Sequence, residues 1–228
     1  MFWGVTCVNI LCRILLACLL LVTGCSKTSI SWVDVVKLDN IKYLATSNWL
    51  DEKDLGPQIG TVNFTVSGNV NNSNYKLKNG DSTFIPVGTP IFSLKNYLSK
   101  FRVAVESEGR FRVYESNLIA NATRGSDYLD ISNKVEFIGI NDERDNSEIA
   151  KIKDKQQVEH LTKLVMEASI TKSEPDRTNK RYFISFHLID GTAVTGAYWL
   201  ESGQFSHGII LPSEFRSAVE QALSIEDK

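Results

Sequence analysis

Apolar and polar residues alternate with a period of two along most of the first half of the chain, which is typical of half-buried β-strands. The run TVNFTVSGNV shows the pattern, with Val62, Phe64 and Val66 on one side and polar residues between them. Turn residues such as Asp39-Asn40, which tolerate a positive φ, separate successive runs. We predict short strands over residues 32–38, 41–46, 61–70, 82–87, 89–94, 101–106, 110–115 and 135–140.

Two segments between these runs lack the alternation. Charges and Gly56-Pro57 in residues 50–60 predict one helical turn or a loop. The asparagine-rich segment 69–81, which ends in Asn79-Gly80-Asp81, predicts an exposed loop or wide turn.

The hydrophobic period changes to 3.6 residues after residue 153, which predicts an amphipathic helix. Asp154 is the expected N-cap and Gln157 completes a capping box. The apolar face consists of Val158, Leu161, Leu164, Val165 and Ala168.

Three further strands are predicted over 181–189, 192–200 and 204–211, with Asp190-Gly191 and Ser202-Gly203 as hairpin turns. A last helix opens at Pro212-Ser213. Its expected buried stripe consists of Phe215, Val219, Ala222 and Leu223.

The order of these elements predicts an α+β protein that is mostly antiparallel β. An N-terminal small barrel or sandwich (residues 32–135) is followed by a β-α-β-β-β-α unit (residues 136–228) with helices on one face of its sheet. Residues 1–24 and 25–31 precede these two predicted domains as a signal peptide and a tether.

The assignment of residues 1–31 rests on nine apolar residues, Ile14 to Val22, behind the single basic Arg13. That length is typical of a signal-peptide core, since a membrane-spanning helix needs roughly twenty apolar residues. The alternative is a longer anchor over residues 2–22, which Asn9 and Arg13 interrupt.

The junction Val22-Thr23-Gly24-Cys25 resembles the bacterial lipobox, with Val22 where leucine is commoner. The resemblance implies that Cys25 receives diacylglycerol on sulfur and becomes the first residue of the mature protein. Two or three acyl chains anchor a protein firmly. We therefore expect the lipid bilayer as a partner through Cys25, and the outer face of the bacterial cytoplasmic membrane as the location.

Cysteine positions and charge exclude several functions. All four cysteines lie at or before residue 25, so the mature domain has no thiol for disulfides, catalysis or metal binding except the lipidated one. The formal net charge is −2, and nothing in it favours a nucleic-acid partner.

Candidate metal ligands are sparse, and we predict no metal site and no cofactor. The three histidines, His160, His187 and His207, have no second ligand at metal-binding spacing. His160 is expected in solvent. A site combining His187 and His207 with a carboxylate such as Glu201 is the alternative. The acidic segment 141–148 offers calcium-type oxygen ligands, but it lacks the calcium-loop spacing and central glycine, so a solvated turn is favoured.

No catalytic motif is present, and we predict no catalytic residue. Ser206 lacks the flanks of a nucleophile elbow. The carboxylates of Glu106, Glu108 and Glu115 near one hairpin leave glycoside hydrolysis as an alternative.

One group of basic residues is a candidate ligand-binding surface. If Phe101, Val103 and Val105 point inward, Arg102 points outward, and Arg110, Arg112 and Tyr114 share an exposed face across the hairpin. Three guanidinium groups there would suit phosphate or carboxylate groups. Pairing with Glu106 and neighbouring acids is the other interpretation, and the favoured one.

The stretches LDEKDLG (50–56), NGDSTFIPVGTPIFSLKNY (79–97), RYFISFHLIDGTAVTGAYW (181–199) and GIILPSEF (208–215) resemble lipoproteins of unassigned function from spore-forming Gram-positive bacteria. The resemblance implies surface anchoring and carries no activity with it. We expect a non-enzymatic binding or accessory module whose partner is an envelope protein or wall polymer. The alternative is an envelope hydrolase whose site forms only in three dimensions.

Overall fold

Two β-sheets organise the part of the chain that this computed structural model describes, residues 31–116 and 121–226. The strands of the first sheet are β1 (Val35–Leu38), β2 (Ile41–Leu50), β3 (Leu55–Thr61), β4 (Phe64–Thr65), β5 (Asp81–Ser82), β6 (Pro90–Leu94), β7 (Arg102–Ser107) and β8 (Arg110–Ser116). Their spatial order is β3-β6-β7-β8-β2-β1-β5-β4, and only β4 and β5 pair in parallel. The sheet curls into a half-barrel.

The second sheet carries both helices seen among the described residues. Its strands are β9 (Val135–Asn141), β10 (Glu148–Ile152), β11 (Arg181–Leu188), β12 (Ala193–Trp199), β13 (Gln204–Phe205) and β14 (Ile209–Ile210), in the order β10-β9-β11-β12-β13-β14. The helices are α1 (Lys155–Glu167) and α2 (Ser213–Glu226). Short 3-10 turns span Glu52–Asp54, Gly125–Asp127 and Ser206–Gly208. Both sheets belong to one compact unit, Trp32–Lys228.

The helices form where the periodicity predicts them and bury the predicted faces. The Asp154 carboxylate caps α1 by accepting a hydrogen bond of 2.9 Å from the Gln157 backbone N–H. Val158, Leu161 and Val165 are buried in one core with residues of the second sheet. In α2, Phe215 is fully buried against Tyr198, with ring centroids 5.5 Å apart.

The first sheet is buried on both faces around β7, where Val103, Ala104 and Val105 are all inaccessible to solvent. Val103 and Val105 belong to one hydrophobic cluster and Ala104 to another. A strand covered on both sides has no solvent face, so its polar residues must find partners inside the protein.

The predicted α+β class with mostly antiparallel strands is confirmed. The predicted hairpins β1–β2, β7–β8 and β11–β12 also form. The passage from the first sheet to the second falls between Ser116 and Val135. The predictions for residues 1–30, including the lipidated Cys25, lie outside the described residues. Among the described residues, no helix is long and apolar enough to span a membrane.

Several strand predictions are wrong. Residues 61–70 contribute only the last residue of β3 and the two-residue β4, because the chain turns back at Val66, whose carbonyl accepts from the Asn69 and Val70 N–H groups. Residues 82–87 contribute only the end of β5, since the Ser82 hydroxyl accepts from the Ile85 N–H and starts a turn. The helical turn predicted within residues 50–60 forms at Glu52–Asp54, but β3 then occupies residues that were expected to be turn or loop. It tolerates Gly56 and Pro57 because it is an edge strand.

Two differences lie in the second sheet. Strand β10 was not predicted; it follows the acidic turn and pairs with β9 through a bulge. The predicted strand 204–211 is interrupted by a 3-10 turn at His207, which divides it into β13 and β14.

Candidate functional site

The tip of the β11–β12 hairpin docks onto the first sheet and joins the two halves of the described chain. Asn48 in β2 makes a double hydrogen bond to the Ala193 backbone. Its amide nitrogen donates to the Ala193 carbonyl at 2.7 Å, and its amide oxygen accepts from the Ala193 N–H at 3.0 Å. An amide pair of this kind mimics the pairing of two backbone strands.

Arg102 lies at the centre of this junction and is only 3% exposed. Its Nε is 3.1 Å from Glu115 Oε1, and its Nη1 is 3.8 Å from Asp190 Oδ2. Its Nη2 donates to the Thr192 hydroxyl at 3.1 Å, and that hydroxyl donates to Asp190 Oδ1. Its guanidinium also lies 4.9 Å from the ring centroid of Tyr97. One cation thus neutralises two carboxylates at the contact of the two sheets.

Burial raises the pKa values of two acidic groups at this junction. Removal from solvent raises the pKa of Glu115, and the neighbouring guanidinium of Arg102 opposes that rise. Burial together with the Asp190 carboxylate raises the pKa of the Tyr97 phenol. Both effects follow from the low local dielectric.

The expectation that Arg102 points outward beside Arg110 and Arg112 is therefore wrong, because β7 has no solvent face. The other two arginines do lie together, over the indole of Trp49, at 4.8 Å for Arg110 and 5.8 Å for Arg112. Arg112 is also committed to protein partners, since Nε donates to the Thr46 carbonyl at 2.7 Å and Nη1 pairs with Asp34 at 3.0 Å. Tyr114 is buried and donates to Asp34.

A small cavity of about 60 Å³ lies beside Arg102 and brings Glu115 and His207 into one lining. Ligand pockets are typically roughly 300 Å³ or larger. Glu115 is already paired with Arg102. The cavity therefore suits ordered water better than a substrate. Glu106 and Glu108 do not reach it and line a separate open depression.

His207 occupies a strained backbone position next to this cavity. Its φ is 63°, and the following Gly208 also has a positive φ of 77°. A non-glycine residue in this region costs about 1–2 kcal/mol. A Cβ at position 208 would lie 2.2 Å from the Thr171 carbonyl oxygen, so only glycine fits there. The turn directs the imidazole onto the Tyr128 ring, with centroids 4.4 Å apart and planes at 10°.

The stacked pair forms one wall of a larger cleft of about 570 Å³, which we call the Tyr128–His207 cleft. Trp199 at the end of β12 supplies another aromatic side chain, and Arg181 faces it across the β11–β12 ladder. The lining includes three basic residues, Lys172, Arg177 and Arg181, and one acidic residue, Glu174. The cleft is therefore aromatic and predominantly basic.

Hydrogen bonds to backbone groups hold the rim of the cleft in place. The Thr171 N–H donates to the Gly208 carbonyl at 2.8 Å, and the Gln204 side chain donates to the Ser173 carbonyl at 3.0 Å. Burial lowers the pKa of His207, so the imidazole is neutral at neutral pH. A neutral ring stacked on a phenol presents a flat surface, which suits a planar or sugar ring.

The remaining candidates separate in space. His160 is exposed and lies 2.8 Å from Glu214, so the solvated position expected for it is confirmed. His187 and His207 are not brought together, because His187 pairs with Ala193 and Phe205 with Tyr198, at opposite ends of β12. The Ser206 hydroxyl accepts from the Ala197 N–H at 2.8 Å, which leaves it poorly placed as a nucleophile.

The acidic segment is a hairpin turn between β9 and β10 whose charges are paired locally. Asp142 accepts from the Arg144 guanidinium at 2.9 and 3.0 Å, which lowers the pKa of Asp142 to about 2. Glu143 pairs with Arg181 at 3.5 Å. Within the described residues, no three His, Cys, Asp or Glu side chains gather into a group that could hold a metal ion.

Comparisons of the chain with family models, with curated proteins and with solved structures found no match. The resemblance to Gram-positive lipoproteins therefore stays a prediction from the quoted stretches.

Proposed function

We propose that this chain is a lipid-anchored envelope protein that acts as a non-enzymatic binding module. Its Tyr128–His207 cleft is the ligand-binding surface in this proposal. The observation that carries it is the strained His207, whose imidazole stacks on Tyr128 inside this aromatic-lined cleft. Strained residues that persist in a folded protein cluster at functional sites.

The chemistry of the lining indicates the class of ligand. The stacked Tyr128–His207 pair and Trp199 offer flat faces for ring stacking. Lys172 offers a cationic donor, beside Arg177, which lies 3.7 Å from Glu174, and Arg181, which lies 3.5 Å from Glu143. An anionic wall polysaccharide has sugar faces that can stack on the aromatic rings and regularly spaced negative charges that can pair with the basic side chains. We therefore favour an anionic polymer of the cell envelope over an uncharged one.

A binding role also agrees with the contacts of the candidate catalytic side chains, which are all engaged with other protein groups. Glu115 is held by Arg102, Ser206 bridges the backbone of β12, and His207 is neutral and stacked. General acid-base catalysis needs a group free to exchange a proton with a substrate within hydrogen-bond reach. Engaged side chains around a 60 Å³ cavity favour binding over hydrolysis.

In this proposal, the lipid anchor holds the cleft near the outer face of the cytoplasmic membrane. Cys25 as the lipidated residue leaves a tether of a few residues before the folded unit begins at Trp32. The cleft would then meet polymers that lie close to the membrane.

Co-sedimentation tests the binding function directly. The full-length chain, purified in detergent, is mixed with Gram-positive cell walls from which the anionic polymer has or has not been chemically removed. We expect sedimentation with intact walls only, and at least tenfold weaker binding for Trp199→Ala. Trp49→Ala, which removes a half-buried indole of the first sheet, is the matched control and should bind like the unmodified chain. Equal binding of Trp199→Ala and Trp49→Ala would contradict the proposal.

A further inference from the structure

Three unengaged ligand atoms converge over Gly139 on the face of the second sheet that lies opposite the helices. A Cβ built on Gly139 would lie 2.7 Å from Glu148 Oε2, 3.1 Å from His187 Nε2 and 3.4 Å from Asn141 Oδ1. The φ of Gly139 is not positive, so the backbone conformation does not require glycine there. The absence of a side chain at Gly139 instead leaves open space above the strand. A glycine inside a strand often marks the close approach of a ligand.

We propose that Asn141, Glu148 and His187 form a binding site for a divalent first-row transition-metal ion, such as Zn²⁺. The separation of His187 Nε2 and Glu148 Oε2 is 3.5 Å, too long for a good hydrogen bond. It matches the spacing of about 3.4 Å that two ligands adopt around one tetrahedral ion at about 2.1 Å.

Asn141 contributes an oxygen whose orientation is fixed. The residue is 8% exposed, and its amide nitrogen donates to the Asn146 carbonyl at 3.2 Å. This bond turns the other amide atom, Oδ1, toward the space above Gly139. Oδ1 has no hydrogen-bond partner there. A buried acceptor without a partner is costly, and a bound cation would satisfy it.

His187 and Glu148 are held by neighbours that leave one ligand atom of each free. The imidazole stacks on Phe137, with centroids 4.0 Å apart and planes at 10°. Its Nε2 is buried without a hydrogen-bond partner. Glu148 Oε1 pairs with Lys151 at 2.6 Å, which leaves Oε2 facing His187. Glu148 and Lys151 reach the same face because of the β-bulge between Glu148 and Ala150.

The ligand set selects the class of ion. One imidazole nitrogen with a carboxylate and an amide oxygen suits zinc-like ions, whereas calcium and magnesium prefer oxygen ligands alone. Three protein ligands leave a further coordination position open. None of these ligands lines the Tyr128–His207 cleft, so the site is independent of the proposed binding function.

Nuclear magnetic resonance of the three histidines tests the site in the full-length chain. The unprocessed chain, which keeps residues 1–24, is used, and its four cysteines are first alkylated so that thiolates cannot bind the ion. With ¹³C-labelled histidine, we expect Zn²⁺ to shift only the His187 imidazole signal, with saturation at one equivalent. An unmoved His187 signal at tenfold excess Zn²⁺, or equal shifts of His160 and His207, would overturn the proposal.

Variants confirm the ligands independently. Gly139→Ala fills the space with a methyl group and should weaken Zn²⁺ binding at least tenfold, because the nearest atom displaced is Glu148 Oε2. Asn141→Leu removes the amide oxygen and should weaken binding similarly. His160→Gln removes an exposed histidine and serves as the control that keeps unmodified affinity. If both Gly139→Ala and Asn141→Leu bind Zn²⁺ like the control, the site does not exist.

Discussion

Arg102 Nη1 lies 3.8 Å from Asp190 Oδ2, and this ion pair crosses from the first β-sheet to the second. Arg102 is in β7, whereas Asp190 is in the turn between β11 and β12. The same guanidinium pairs with Glu115 in β8. The contact of the two sheets therefore includes one buried cation shared by two carboxylates, in addition to the hydrogen bonds between Asn48 and Ala193.

Replacing Arg102 should destabilise the fold severely. Arg102→Met keeps an apolar chain about as long as the aliphatic part of arginine but leaves the partly buried Glu115 and Asp190 without their cation. Removing one partner of a buried ion pair typically costs about 3–5 kcal/mol, and urea unfolding of the full-length chain measures it. Arg110→Met, which removes an exposed arginine stacked on Trp49, is the control with an expected loss below about 1 kcal/mol. Equal losses in the two variants would show that the junction does not depend on Arg102.

Desolvation of the His207 imidazole, which stacks on Tyr128, should make the folded state sensitive to acid. Burial lowers its pKa in the folded chain, whereas the unfolded chain takes up a proton near pH 6.5. Below that pH the unfolded state binds more protons, so the contribution of His207 to the free energy of unfolding falls as the pH drops and is constant above about pH 7.5. His207→Asn keeps a residue that tolerates positive φ and cannot titrate.

We expect His207→Asn to lose less stability than the unmodified chain between pH 7.5 and pH 5.5, as measured by urea unfolding. Burial also lowers the pKa of His187, so the variant should keep part of the pH dependence of stability. A loss as large in His207→Asn as in the unmodified chain would mean that His207 titrates normally in the folded state.

Lys151 should weaken the proposed metal site by electrostatic repulsion. Its ammonium group lies 2.6 Å from Glu148 Oε1 and thus near the position of a bound cation. Lys151→Gln removes the charge and should tighten Zn²⁺ binding by about tenfold, since repulsion between partly buried charges amounts to a kcal/mol or more. Isothermal titration calorimetry on the alkylated chain measures the change. Weaker binding in Lys151→Gln would contradict the placement of the ion beside Glu148.

Lipidation of Cys25 has a direct chemical readout. Mass spectrometry of the mature N-terminus from membranes should find Cys25 as the first residue with the mass of diacylglycerol. Cys25→Ala should keep residues 1–24, because the lipidated cysteine is what the peptidase recognises in the lipobox mechanism. A mature chain beginning at another residue, or an unmodified Cys25, would contradict the anchor.

Local patterns predicted the elements that depend on neighbouring residues. The helix at Asp154 and the hairpin at Asp190-Gly191 follow from capping, periodicity and turn chemistry, which act over a few positions. The orientation of Arg102 depends instead on what covers both faces of β7. The run Val103-Ala104-Val105 carried a signal for double burial, because a half-buried strand would alternate.

The candidate sites depend on contacts between distant segments, which a single sequence does not reveal. Tyr128 and His207 meet although 79 positions separate them, and the stacking requires the positive φ of His207. One local signal was present for the metal site. Gly139 interrupts the predicted strand 135–140, and a glycine in a strand marks a bulge or a close approach.

The central claim is that the Tyr128–His207 cleft binds an anionic wall polymer. Photo-crosslinking in living cells tests this claim most directly. A photoreactive phenylalanine replaces Trp199 in the cleft or, as the control, the exposed Leu98 outside it. After irradiation, mass spectrometry identifies what is attached to each variant. We predict an anionic wall polymer attached at position 199 and none at position 98. A single protein attached at position 199, or the same adducts at both positions, would contradict the proposed polymer-binding cleft.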